Sequence, residues 1–375
     1  MVKNDWASRK RFRAGDGLIL ALFFGLALTA RQGPPWKGTI SNEDGTVIVR
    51  NPKKPVLAEG AFSFAEDLSI GNHGGQPEPL FSRLWYLAVD DEGNIYAMDQ
   101  GDSQVKVFDH KGAFLRAIGR KGEGPGEFLH PNNIFMTQQR ELVVEDYIRN
   151  LTYFGADGKY LRTVSTVRLF PIGISLDSAG RIIALRNFSD PERSGREIDV
   201  YDPNLIFLRT LAVFPQPKPD PALLEPFLPD VRWGLSDLET LIVASGETYE
   251  IDLFDFTGRL AKKIVRDYDR IKITDEDVKY RVRKVPEGRK LVVPKFFPAI
   301  RSLMADEEGR ILAGTYEKRA EGAFVYDVFD PAGKYIAKVA LKGRPQVWKK
   351  NTLYVIDETE DGFQYIKRFR ECGQI

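Results

Sequence analysis

The sequence predicts an all-β, six-bladed propeller, on three observations. An Asp-x-x-Gly-(Asn/Arg)-Ile turn recurs at Asp90 to Ile95, Asp177 to Ile182 and Asp306 to Ile311. Apolar runs stand in phase with these turns where the turn signature is lost, at Leu142-Val143-Val144, Leu241-Ile242-Val243 and Leu353-Tyr354-Val355. A glycine-rich link, Gly119 to Pro131, joins one copy to the next, and its opening glycine is echoed at Gly71. Copies of roughly 40 to 50 residues, each with room for four short strands, are the mark of propeller blades.

Residues 1–30 open with Lys3, Arg9, Lys10, Arg11 and Arg13 and continue into the apolar run Leu18 to Ala30. That order predicts an export signal with Ala30 as the last residue removed. The run is short for a spanning helix, which takes ~20 apolar residues. Leu28 is bulky for the position two before the cut, so an uncleaved N-terminal membrane anchor is the alternative; both readings place the remainder in the periplasm or outside the cell. Residues 31–60 form an extension in which Thr46-Val47-Ile48-Val49-Arg50 is expected to add a strand near the last blade.

The propeller takes residues 61–375. Its sixth copy, Gln346 to Arg370, has room for only three strands, while Phe62 to Ile70 precedes Gly71 just as Phe114 to Ile118 precedes Gly119. An N-terminal strand should therefore complete the last blade and remove an open edge. Two inserts interrupt the period. Residues 214–230 carry six prolines and should be a stiff extended loop. Residues 266–298, between blades four and five, should hold a short helix from Thr274 to Lys284. Thr274 caps it, acids fill its first turn, basic residues fill its end, and a stripe of Val278, Val282 and Val285 docks it.

The net charge of +1 falls to about −2 once residues 1–30 are set aside, so no basic field points to nucleic acid. Cys372 is the only cysteine, which rules out an internal disulfide. The histidines are His73, His110 and His130, and His110 sits in a turn on the opposite face, so a three-histidine zinc site is not expected. No Gly-x-Ser-x-Gly elbow occurs. Gly119 to Gly126 lacks the Gly-Lys-(Ser/Thr) ending of a phosphate-binding loop and reads as a link between blades.

The turn at Asp90 to Tyr96, the run Val107 to Gly112 and the link Gly119 to Pro131 resemble NHL repeats, in particular the six-bladed propellers of bacterial exported proteins. The resemblance is strongest over Leu84 to Pro131 and stays in phase over Phe62 to Arg370. It implies that an acid at the start of each second-to-third-strand loop ties loops together.

Function is sought on the upper face, which receives the blade-to-blade links, both inserts and the loops beginning at Asp99, Asp146, Arg186, Ser245, Thr315 and Asp357. Counting along the first strands gives two candidate channel-mouth rows: Trp85, Asn132, Ile172, Val231, Arg301 and Gly343, or Tyr86, Asn133, Gly173, Arg232, Ser302 and Arg344. Alternation predicts that only one row faces the axis. Neither row holds Asp, Glu or His. The expected function is thus a binding or protein-interaction module with no catalytic set, no metal and no cofactor, holding a protein or small polar ligand at the upper face. Trp85, Tyr86, Asn132, Arg232, Arg301, Arg344, Asp99, Asp146 and Arg186 are the candidate contacts, since binding surfaces favour arginine and aromatic anchors. The alternative is a lactonase-like hydrolase or lyase with calcium or zinc at Asn132 or Asp146. Membrane contact is expected only through an uncleaved N-terminal segment.

Overall fold

Each blade folds for the same local reason: short runs rich in apolar residues form the strands, and turns led by a short side chain connect many of them. A computed structural model describes residues 35–71, 80–147, 150–236 and 239–373; the expected export signal and His73 lie outside the described residues. Blade one is typical, with strands Leu84–Val89, Ile95–Asp99, Gln104–Phe108 and Phe114–Ile118 paired in order as an antiparallel meander. The Asp90 carboxylate accepts from the amides of Glu92 and Asn94 at 3.0 and 2.8 Å, and Gly93 supplies the positive φ the turn needs. Asp177, Asp306, Asp109 and Asp255 do the same in their own turns.

Blades two and three repeat the meander over Pro131–Ser165 and Pro171–Pro215, and blade five over Ser302–Leu341. The sixth blade comprises Arg344–Lys349, Thr352–Glu358 and Gln364–Cys372, and its fourth strand is Ser63–Ile70. Asp67 on that strand pairs with Arg368 at 2.8 Å and Arg370 at 2.9 Å, fastening this early strand to Gln364–Cys372. The ring closes through the core as well. Among the described residues, six apolar clusters fill the six junctions between neighbouring blades, including Leu84, Leu87 and Val89 of blade one against Tyr354 and Ile356 of blade six.

The extension behaves differently from expectation. Thr39–Glu43 and Thr46–Asn51 form a hairpin, but its second strand runs parallel to Leu260–Arg266 on the outer edge of blade four, not beside the last blade. Asn51 ties the end of this strand onward to the next blade. Buried there, it donates to the Gly333 carbonyl at 2.9 Å and accepts from the Tyr335 amide at 2.7 Å, both in blade five. The chain then bonds along blade five through the amides of Val56 and Leu57 before entering blade six, so one N-terminal strap crosses three blades.

A buried cluster locks blade four to blade five under this strap. Arg266 pairs with Asp327 at 2.8 Å, and Asp327 also accepts from Tyr249 and Tyr335 at 2.7 and 2.6 Å. Burial first, and then the Asp327 charge, pushes both tyrosine hydroxyls well above their usual range, so they stay protonated donors.

The inserts meet each other. Leu223–Leu224 of the proline-rich segment pairs in parallel with Lys290–Leu291 of the second insert, so the first is not a simple loop. The helix, α1, spans Asp275–Arg281 and is capped by Thr274 through reciprocal bonds with Asp277. It ends three residues before Lys284 because Val282 adopts an extended conformation, and it buries no residue; Val285 is exposed. Of the expected valine stripe, Val278 and Val282 are half-buried and Val285 is exposed, so the stripe docks the helix only in part. The helix shares a cleft with the blade-five residues Tyr316, Lys318 and Phe324.

Candidate functional site

The first strands of blades one to three each carry a register shift at their upper ends, between Leu84 and Tyr86, Pro131 and Asn133, and Pro171 and Gly173. A bulge places two residues where the partner strand has one and re-aims their side chains. Strict alternation therefore fails. Asn132 and Asn133 both line the central channel, as do Ile172 and Gly173, so the channel draws on both candidate rows. In blade six the extra residue is Gln346, between Pro345 and Val347; it puts Gln346, Val347 and Trp348 on the channel in place of Gly343 and Arg344.

The channel encloses about 540 Å³. Its polar end is built by Tyr86, Asn132, Asn133 and a residue absent from both sequence rows, Glu145. Glu145 lies on the second strand of blade two, paired with Asn133, and is only 8% exposed. Burial pushes its carboxyl up to about 7, against a smaller lowering by the hydrogen bond from Asn132. Among the described residues no basic side chain pairs with it. Burial, reinforced by Glu145 and opposed by Arg344, likewise raises the Tyr86 hydroxyl. A buried acid that exchanges its proton near neutrality, flanked by two amides and a phenol, can accept or donate hydrogen bonds to a polar guest.

Sequence position could have exposed Glu145. In the second strands its equivalents are Met98, Leu185, Ala244, Gly314 and Ile356, so it is the one charged residue in an otherwise uncharged row. Searching only first strands missed it.

The other candidate residues fall in three groups. Trp85 lies between the guanidinium groups of Arg83 and Arg344, each 5.0 Å from its ring, beside the channel rather than in its wall. Arg232 reaches Asp230 at 3.6 Å, and Arg301 lies over Phe324 at 3.9 Å in a separate cleft; neither lines the channel. Asp99, Asp146 and Arg186 are tied into loops. Asp99 accepts from the amides of Ser82 and Arg83 at 2.9 and 2.8 Å and pairs with Lys106 at 2.8 Å. Asp146 accepts from the Leu129 and His130 amides at 2.7 and 3.2 Å, and Arg186 pairs with Asp199 at 3.1 Å.

Among the described residues, no three His, Cys, Asp or Glu side chains gather to hold a metal ion. The channel offers a single carboxylate, Glu145, together with the side-chain amides of Asn132, Asn133 and Gln346.

A family model described as a 6-bladed beta-propeller matches residues 79–178, blade one through the start of blade three. The chain is a six-bladed β-propeller. Solved structures agree with that architecture over most of the molecule. The propeller aligns with a candidate exported protein of Bacteroides fragilis at a TM-score of 0.55, with 10% identity, over 86% of this chain and 99% of that one. It aligns with a duf4221-family protein of Bacteroides vulgatus at 0.50, with 10% identity, over 84% and 100%. In sequence, 115 residues are 24% identical to Protein brain tumor of Drosophila melanogaster; the match spans 30% of this chain and 11% of that relative. These likenesses concern the fold.

Proposed function

We propose that this propeller is an extracytoplasmic binding module whose channel end, lined by Tyr86, Asn132, Asn133 and Glu145, takes a small polar ligand. The observation that carries the reading is Glu145: an acid 8% exposed on a cavity of about 540 Å³, with no ion-pair partner among the described residues, the lining cation Lys349 being paired with Asp91 at 2.7 Å. Burying an unpaired ionisable group costs stability, and such costs concentrate at functional sites. A ligand presenting hydroxyl or amine donors would satisfy it. The basic-then-apolar pattern of residues 1–30 supports the extracytoplasmic half of the proposal.

One experiment addresses both halves. Native mass spectrometry of the protein taken from the extracytoplasmic fraction should give a mass beginning at Arg31 and an added mass for a retained polar ligand, lost in Asn133→Ala and Glu145→Gln. A mass that includes Met1 would defeat cleavage. Stoichiometric calcium or zinc, released by Asn132→Ala or Asp146→Ala, would replace the binding module with a metal-dependent hydrolase or lyase.

A further inference from the structure

The geometry points to a second site, independent of the channel: we infer that the cleft between α1 and blade five binds an amphipathic organic anion, an apolar ring system carrying a carboxylate or sulfonate. The cleft encloses about 560 Å³ and shares no lining residue with the channel. That volume suits a small organic molecule, for which pockets run roughly 300–1,000 Å³.

Its floor is aromatic. Phe297, buried, stacks on Tyr316 with centroids 4.2 Å apart and planes 9° from parallel, and meets the buried Phe227 edge-on at 5.7 Å. Both inserts are needed to make it, since Phe227 comes from one and Phe297 from the other. Tyr280 on α1 is also in the lining yet 90% exposed, leaving a large aromatic uncovered where a ligand would cover it.

Its charge is selective. The lining acids Asp277 and Glu317 are engaged within the protein: Asp277 by Thr274 at 2.7 Å and Lys318 at 3.2 Å, Glu317 by Lys338 at 2.8 Å and Arg319 at 3.4 Å. Glu276, exposed in the first helical turn, is the third acid. Opposite them, Lys272, Arg281 and Arg301 have no carboxylate partner among the described residues. Arg301 is held over Phe324 at 3.9 Å, donates to the Tyr326 hydroxyl at 2.7 Å and to the Thr315 carbonyl at 3.3 Å, and is thereby fixed without being neutralised. Arg281 lies 5.4 Å from the Phe227 ring. A guanidinium fixed beside an aromatic wall favours a ligand with a flat apolar body and an anionic group at its edge.

Fluorescence titration of the full chain with 1-anilinonaphthalene-8-sulfonate, against N-phenyl-1-naphthylamine, which keeps the rings and lacks the sulfonate, tests this. The sulfonate should bind at one saturable site, and Arg301→Met should raise its Kd about tenfold while changing the neutral probe less than about threefold. Tyr316→Ala should weaken both. Arg281→Ala, on the exposed helix, should act like Arg301→Met with a smaller effect and carries the test should Arg301→Met not fold. Equal affinity for the two probes, sulfonate binding unchanged in both arginine variants, or sulfonate binding lost in the channel variant Glu145→Gln would overturn the inference.

Discussion

The channel and the cleft are made in opposite ways. The channel is a by-product of the ring: its walls are the first strands, its width follows from the number of blades, and its single buried acid enters through one substitution in a repeated row. The cleft exists only because two insertions leave the repeat, pair through Leu223–Leu224 and Lys290–Leu291, and hold α1 beside blade five. A repeat thus supplies a cavity whose chemistry is changed one residue at a time, whereas an insertion supplies a cavity whole.

Removing residues 61–71 should break both sites together, because it deletes the strand that completes blade six and reopens the ring. The expected product is aggregated or lacks a cooperative melt; a soluble monomer with unchanged melting would show that the ring does not depend on this strand. Asp327→Ala should separate the sites. It leaves Arg266 buried without its partner, at a cost of about 3–5 kcal/mol, and Arg266 is the residue from which the second insert departs. Denaturant melts should report that loss, with binding in the cleft falling more than binding in the channel.

Glu145→Gln should have the smallest effect and one that depends on pH. The folded carboxyl is raised from 4.5 to about 7, so the folded protein holds a proton that the unfolded chain has released. This favours the fold fully below about 4.5, declines as pH rises, and is lost above about 7. Wild-type stability should therefore fall across that window by on the order of 2–3 kcal/mol more than that of the Gln variant. Melting curves at pH 4 to 8 that run parallel for the two proteins would remove Glu145 from the argument.

The ring was legible because its causes are local and repeated. Asp90, Asp177 and Asp306 each bond their own turn, and Leu87, Ile134, Ile174, Trp233, Leu303 and Pro345 each pair with the residue two past the in-phase Ile95, Leu142, Ile182, Leu241, Ile311 and Leu353. What escaped was set by exceptions to the period. Bulges brought Asn132 and Asn133 to the same cavity, and an inserted Gln346 displaced Arg344 from it. The helix was visible from its cap and charges, but a valine at every third or fourth position says only that a face is apolar, not that anything packs there. The strand Thr46–Asn51 is held on blade four by parallel pairing with Leu260–Arg266, and Asn51 bonds onward to blade five at residues 282 and 284 positions away, contacts that no local pattern encodes.

The N-terminal strap also acts as a check on completeness. Asp67 finds Arg368 301 residues later, a loop whose closure costs about 5 kcal/mol before any contact repays it. Ser63–Ile70 must wait for Gln364–Cys372, so a chain cut short anywhere upstream keeps an unpaired strand at each end of an open arc. Such arcs are substrates for proteolysis and aggregation, while the finished ring has its two ends sewn into one blade. Only when Gln364–Cys372 has been made are both edges of the last blade's closing strand pair joined, and the ring is shut.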